Sequence, residues 1–205
     1  MKYATATTAA FIIITAAIYS AQANDEIRRF TQTEFAIGFW VDPPLDERAD
    51  ERYKEIADAN FTLVVGGFHT NTIEKAQQQL SLCEKYNLNA IVTLPGVQDK
   101  NTLPDGSACW GYGLRDEPNA SIFPEMRELV DEIRATHPGK LGYINLFPSY
   151  ASPVGQLGSE NYDEYVRQFI EAVDPDVLCM DHYPMFKPDR DGRNGYCADL
   201  AVMRK

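Results

Sequence analysis

The sequence predicts an α/β fold of the (β/α)8, or TIM-barrel, type, as a partial barrel of about six strands. Short apolar runs alternate with longer amphipathic stretches, which is the rhythm of strand–helix–strand units around a parallel sheet. Polar and aromatic residues also follow the apolar runs directly, where barrels of this type carry their functional groups. Since a closed barrel has eight strands, we expect a barrel that is truncated at its C-terminal side.

Residues 1–23 resemble a secretory signal peptide. Lys2 gives a positive start, residues 9–18 form an apolar core, and residues 21–23 are small enough for cleavage. We therefore expect a secreted, extracellular protein that has no membrane anchor after cleavage. Residues 24–205 then form one domain, which is shorter than the roughly 250 residues of a typical closed barrel.

The first half of the chain contains three predicted strands and two predicted helices. The second strand is almost wholly apolar, as expected where both faces of a parallel sheet are covered. Pro43 and Pro44 open the first helix, and Ile73, Ala76 and Leu80 form a buried stripe on the second. The strands are predicted at residues 35–41, 61–68 and 90–94, and the helices at residues 45–59 and 72–86.

The second half repeats the pattern after a reduced connection. Residues 97–109 are too polar and too rich in Gly and Pro to form a full crossover helix. His137 is expected to end the third helix as its C-terminal cap. Residues 185–205 are polar and contain Asp-Gly and Asn-Gly turn signals, so we expect that they do not hold the two further strand–helix units of a closed barrel. The strands are predicted at residues 110–114, 141–146 and 177–180, and the helices at residues 121–136 and 161–173.

Charge and cysteine content restrict the function classes. The net charge of −11 and the lack of clustered Lys and Arg argue against nucleic acid as a partner. Neutral or cationic ligands fit better, although the charge also serves solubility. The four cysteines allow three disulfide pairings, and buried free thiols are an equally good interpretation. The cysteines are Cys83, Cys109, Cys179 and Cys197.

Carboxylates and aromatic side chains occur together at the predicted strand ends. This combination suits a sugar, whose ring stacks on aromatics and whose hydroxyls accept and donate hydrogen bonds. The strand-end segments are Trp40-Val41-Asp42, His69-Thr70-Asn71, Arg115-Asp116-Glu117-Pro118, Asn145-Leu146-Phe147 and Asp181-His182-Tyr183.

The segment GYGLRDEP, residues 111–118, resembles the strand-four signature of retaining (β/α)8 glycoside hydrolases, the clan of β-galactosidases and cellulases. The resemblance implies that Glu117 is the acid/base and that Asp116 holds the sugar hydroxyl beside the reacting carbon. The clan usually has Asn at the position of Asp116, so this chain loses an amide donor there. A turn that begins a helix, with acids at the positive end of its dipole, is the alternative interpretation of Asp116 and Glu117.

A general acid must keep its proton until it transfers it, and a neighbouring carboxylate raises the pKa of its partner. Asp116 can act on Glu117 in this way. Successive strand residues point to opposite faces unless the backbone turns, so these two are not expected to be acid and nucleophile. A retaining mechanism needs a second carboxylate about 5 to 5.5 Å away. The clan takes it from strand seven, which has no counterpart here.

Asp181 is the other strand-end carboxylate late in the chain, and we name it as a candidate catalytic group. The alternative is that Asp181, His182 and Tyr183 line the substrate pocket. Trp40 and Tyr183 are candidate stacking platforms and Asn145 a candidate hydroxyl ligand, with core packing as the alternative for the aromatics. Tyr112 and Tyr143 lie deeper in their strands and are expected in the core.

The expected function is that of an exported O-glycosyl hydrolase that cleaves a poly- or oligosaccharide by double displacement. We expect no cofactor and no metal, because His69, Asp181 and His182 lack metal-ligand spacing. A Gly-rich phosphate loop and a GxSxG nucleophile motif are absent. The alternative is an incomplete barrel that binds carbohydrate without catalysis, or a fragment of a larger hydrolase.

Overall fold

Six parallel strands form one curled, open sheet in the computed structural model, which describes residues 28–185 and 192–205. Each strand pairs with the next one along the chain, so the order across the sheet is β1 to β6. The strands are β1 (Gly38–Phe39), β2 (Leu63–Val65), β3 (Asn89–Val92), β4 (Cys109–Asp116), β5 (Leu141–Leu146) and β6 (Cys179–Met180). The predicted fold class, a partial (β/α) barrel, is confirmed.

Five α-helices lie among the described residues, and four of them connect or follow strands as predicted. They are α1 (Ala49–Asp58), α2 (Ile73–Tyr86), α3 (Phe123–Thr136), α4 (Tyr162–Val173) and α5 (Arg193–Met203). Side-chain caps fix two of their starts: Thr72 accepts from the N–H of Lys75, and Asn161 accepts from the N–H of Glu164. The predicted C-terminal cap of α3 at His137 is confirmed.

Two apolar clusters join the helices to one face of the sheet. The first contains Val64, Leu80 and Tyr112, and the second contains Ile144, Leu146 and Phe169. A third, smaller cluster packs Val65, Ile91 and Leu141 with Phe30 and Trp110. Trp110 and Leu141 stand near the starts of β4 and β5, whereas Val65 is the last residue of β2.

The reduced connection between β3 and β4 is confirmed, because only a 3-10 helix, Lys100–Thr102, interrupts it. Helix α5 was not predicted: residues 185–205 were expected to contain turns and to be too few for two further strand–helix units, and the structure has eleven helical residues there. Val202 and Met203 pack against the second apolar cluster, while Asn194 and Gly195 lie on exposed turns of the helix. Tertiary packing therefore outweighs the weak local helix preference of this segment.

All four cysteines are free thiols. Cys83 and Cys109 are buried in the first apolar cluster, and Cys197 is exposed on α5. The predicted signal peptide lies outside the described residues. Across residues 28–185 and 192–205, no helix has the length and apolar character needed to cross a bilayer.

Candidate active site

Asp116, Asn145 and Cys179 lie side by side at the C-terminal ends of three neighbouring strands. The parallel register pairs Asp116 with Asn145 and Asn145 with Cys179. Asn145 Nδ2 donates to Asp116 Oδ1 at 3.0 Å, and the Cys179 thiol donates to Asn145 Oδ1 at 3.3 Å. Both ends of the Asn145 amide are therefore engaged, and one hydrogen-bonded row connects β4, β5 and β6.

Glu117 follows β4 in a left-handed backbone conformation, with φ of 46°. Its N–H donates to the main-chain oxygen of Asn145 at 2.8 Å, so the turn is tied to β5. A left-handed residue with a side chain costs roughly 1–2 kcal/mol, and such strained residues often occur at functional sites. The turn also breaks the strand alternation that would place Asp116 and Glu117 on opposite faces.

Three carboxylates influence one another at this edge of the sheet. Burial raises the pKa of Glu117, and the negative charges of Asp116 and Asp181 raise it further. Burial, followed by the charge of Asp116, also raises the pKa of Asp181, while a hydrogen bond from Tyr183 acts in the opposite direction. No described cationic side chain forms a salt bridge with any of the three. Glu117 and Asp181 therefore hold a proton more tightly than an ordinary Glu or Asp does.

A cavity of about 330 Å³ opens beside Asp116. Three aromatic rings line it: the Trp40 centroid lies 6.4 Å from those of Phe68 and Tyr143. Gly113 gives it room, because a Cβ there would lie 2.3 Å from Thr93 Oγ1. A larger groove of about 480 Å³ lies elsewhere, between α4 and the C-terminal end of the chain, and no predicted site residue lines it.

The structure brings together most of the predicted site residues. Trp40 and Asp116 line the cavity, and the pKa of Glu117 responds to both Asp116 and Asp181. Tyr183 is exposed and interacts with Asp181, whose negative charge raises the pKa of the Tyr183 hydroxyl. Asn145 is buried and donates a hydrogen bond to Asp116, so it fixes the position of a residue that lines the cavity.

His182 requires a correction, because it is not among the residues that line the cavity and its side chain is engaged by Asp199. Nδ1 lies 2.7 Å from Asp199 Oδ2, and both side chains are buried. The rings of Tyr150 and Tyr196 pack edge-on against the imidazole. His182 therefore fastens α5 to the end of β6, and no property of the local sequence indicates this partner seventeen residues away.

The sequence analysis assigned no site role to three residues that line or shape the cavity. Tyr143 packs against the third apolar cluster, as expected, and it also lines the cavity, as does Phe68. Asp42 is fully buried, and its carboxylate accepts the main-chain N–H groups of Phe68, His69 and Thr70. Asp42 thus shapes the loop that presents Phe68. Asp42 and Phe68 both lie at strand ends, and this position could have indicated a role at the site. The hydrogen-bond partners of Asp42 could not be predicted, because they depend on the packing of β1 against β2.

Metal ligation finds no support in the described ranges, which contain no group of three or more His, Cys, Asp or Glu side chains placed to hold a metal ion. His69 is exposed, and its main-chain N–H is bonded to Asp42. The arrangement at the strand ends is thus a set of carboxylates beside an aromatic cavity.

Comparisons with known proteins find few similarities to this chain. No protein-family model matches it, and no curated protein matches it. Among solved structures, it is similar to a truncated form of 3-deoxy-D-arabino-heptulosonate 7-phosphate synthase from Thermotoga maritima, with a TM-score of 0.42 and 10% identity. The match covers 79% of this chain and 60% of that one, so the chain spans less than two thirds of its length. A similarity at this level carries no argument about activity.

These findings correct the prediction of a retaining glycoside hydrolase. Neither a family model nor a curated protein of that clan matches this chain. The resemblance rested on eight residues, 111–118, whose Asp-Glu pair follows from a polar strand end and does not specify one reaction. The alternative, a carbohydrate-binding or fragmentary hydrolase barrel, gains no support either. Secretion and a carbohydrate partner stay predictions.

Proposed function

We propose that the strand ends of β4 to β6 form an enzyme active site in which Glu117 is the general acid/base. One observation carries this proposal: Glu117 stands on a strained turn beside Asp116 and Asp181, its pKa is raised, and no salt bridge joins it to a cationic side chain within residues 28–185 and 192–205. A carboxyl group in this state exchanges its proton more readily near neutral pH than an ordinary glutamate does.

The neighbouring carboxylates have separate roles in this proposal. Asp116 is held by Asn145 and lines the cavity, so it orients the ligand through hydrogen bonds. Asp181 is the second carboxyl group with a raised pKa, its charge acts on Glu117, and Tyr183 donates to it. A pair of carboxyl groups in different surroundings can divide the acid and base roles between them.

The lining of the cavity restricts the ligand class. Trp40, Phe68 and Tyr143 offer apolar ring surface, whereas Asp116 and Arg115 offer one charge of each sign. The net charge of −11 disfavours polyanionic ligands. We therefore propose a small uncharged or cationic ligand that carries hydroxyl or amino groups beside an apolar face. A cavity of about 330 Å³ suits such a molecule, since small-molecule sites begin at roughly 300 Å³.

The full chain offers a direct binding readout, because it contains only two tryptophans. In a Trp110→Phe background, Trp40 is the sole tryptophan and reports on the cavity. Polyols, amines and amino alcohols are screened for quenching of its fluorescence, and each compound that binds is followed by NMR for chemical conversion. Wild-type protein should convert at least one of them.

Glu117→Gln should lower that conversion by at least about 100-fold, because general acid/base catalysis supplies roughly 10²–10⁴ in rate. Binding should survive, since the amide keeps the shape of the side chain. Glu125→Gln, an exposed carboxylate in the first turn of α3, is the matched control and should convert at the wild-type rate. Equal conversion by wild type and Glu117→Gln would remove Glu117 from the mechanism.

A further inference from the structure

We propose that Cys179 is a positioning residue for this site: its thiol fixes the orientation of the Asn145 amide, which in turn holds Asp116. The inference rests on the proposed function for its catalytic meaning. Its structural content, a directed hydrogen-bond chain across three strands, is independent of any reaction.

The chain of hydrogen bonds begins and ends at the cavity. The Tyr143 hydroxyl lies 3.2 Å from Cys179 Sγ, and the thiol lies 3.3 Å from Asn145 Oδ1. Asn145 Nδ2 then donates to Asp116 Oδ1 at 3.0 Å. Tyr143 and Asp116 both line the cavity, so the chain runs beneath it from one wall to the other.

In this series of hydrogen bonds, every donor points in the same direction, from Tyr143 toward Asp116. Asp116 as a carboxylate can only accept, so Asn145 must turn its NH2 group toward it and its Oδ1 toward β6. Oδ1 then needs a donor, and the Cys179 thiol supplies one. Since the thiol gives its proton to Asn145, the Tyr143 hydroxyl donates to the sulfur.

The thiol can play this part because it stays protonated. Burial raises the pKa of Cys179, and the nearby negative charges of Asp181 and Asp116 act in the same direction. A thiolate would have no proton to donate and would repel Oδ1. Serine is the replacement that keeps a donor at this position, whereas alanine removes the donor and leaves a small gap.

Asn145 holds the site by two routes, which makes its orientation consequential. Its side chain holds Asp116, and its main-chain oxygen accepts the N–H of Glu117. If the amide turned over, Oδ1 would face the Asp116 carboxylate and the two would repel each other. Asp116 would then move away from the cavity wall. This change would occur next to Glu117, the proposed acid/base.

The test uses the full chain and follows the Asn145 side-chain NH2 signals by NMR, assigned by their loss in Asn145→Asp. In Cys179→Ala, we expect hydrogen exchange of this NH2 group to accelerate about tenfold, the effect of losing one supporting hydrogen bond. In Cys179→Ser, exchange should stay within about threefold of wild type. Cys83→Ala removes another buried thiol, in the first apolar cluster, and should leave the Asn145 signals unchanged.

Unchanged exchange in Cys179→Ala, or equal acceleration in the serine and alanine variants, would overturn the proposal. Where a converted compound is in hand, Cys179→Ala should lower kcat about tenfold with KM within about twofold, and Cys179→Ser should restore it. The two proposals fail separately, because loss of the Glu117 role leaves the NH2 exchange result intact.

Discussion

The main-chain N–H of Glu117 donates to the main-chain oxygen of Asn145 at 2.8 Å, one residue beyond the end of β4. This bond keeps β4 and β5 together while the backbone of Glu117 turns into the left-handed region. The carboxyl group is thereby fixed beside Asp116 by the sheet itself, and a flexible loop is not needed. Several measurable consequences arise from this arrangement.

Glu117→Gln should stabilise the protein at neutral pH. The folded-state pKa of Glu117 is raised, so the folded protein binds a proton more readily than the unfolded chain between the two pKa values. The contribution of Glu117 is therefore present below the unfolded pKa and lost as pH rises through the folded pKa. We expect a gain of about 0.5 kcal/mol at pH 7, because solvent screens this partly exposed group.

Urea denaturation at pH 7 and at pH 3 measures that difference. The gain should vanish at pH 3, where the glutamate is protonated in both states. Glu125→Gln should show no gain in stability at pH 7, because an acidic side chain in the first turn of a helix is favourable there. A gain that is the same at both pH values would contradict the electrostatic explanation.

Glu117→Gly should be more stable than Glu117→Ala by about 1 kcal/mol, because glycine adopts the left-handed conformation without steric cost. Exposed Glu128 lies within α3 and provides the opposite case. There the alanine variant should be the more stable by about 1 kcal/mol. Equal stability of the two Glu117 variants in thermal or urea unfolding would show that the turn relaxes without cost.

Asp42→Ala should lower the free energy of unfolding by about 3 kcal/mol. The buried carboxylate accepts three main-chain N–H groups, at Phe68, His69 and Thr70, and these would lose their acceptor. Phe68 would also shift, so ligands should quench Trp40 fluorescence less. Asp58→Ala, which removes an exposed partner of Lys54, should cost under about 1 kcal/mol. Similar losses for the two variants would rule out the proposed role of Asp42.

His182 and Asp199 should be energetically coupled. Each is buried, their side chains meet at 2.7 Å, and Asp199 also accepts the N–H of Ser149. We expect His182→Ala and Asp199→Asn each to cost about 2 kcal/mol and the double variant to cost at least about 1 kcal/mol less than their sum. The exposed pair Lys205 and Asp163 serves as a control with coupling under about 0.5 kcal/mol. Additive losses at His182 and Asp199 would refute the coupling.

Much of the fold could be predicted because the spacing of apolar residues along the sequence determines its helices and strands. The helix α2 shows this well: Ile73, Ala76, Leu80 and Cys83 recur at helical spacing, the last three are buried, and Ile73 is half-buried. The strands were harder to bound, since β1 was expected over residues 35–41 and only Gly38–Phe39 pair with β2. Pairing depends on the neighbour, which a single apolar run does not specify.

The candidate site divides in the same way. That Glu117, Asp116 and Asp181 would share one edge was predictable, because parallel strands end on the same side of a sheet. That Asn145 holds both Asp116 and Glu117 was not, because it depends on which residues of β4 and β5 lie opposite each other.

The sequence by itself therefore determined the alternation of strands and helices and the polar character of the strand ends, because both depend on residues close together in the chain. The reaction inferred from eight residues was wrong, since a short motif does not define a whole site. Tertiary structure decided which side chains are in contact. His182 contacts Asp199, Asp42 accepts hydrogen bonds from the loop after β2, and Cys179 donates to Asn145. Those contacts join residues that are 17 to 34 positions apart, and only the register of the sheet and the packing of α5 bring them together.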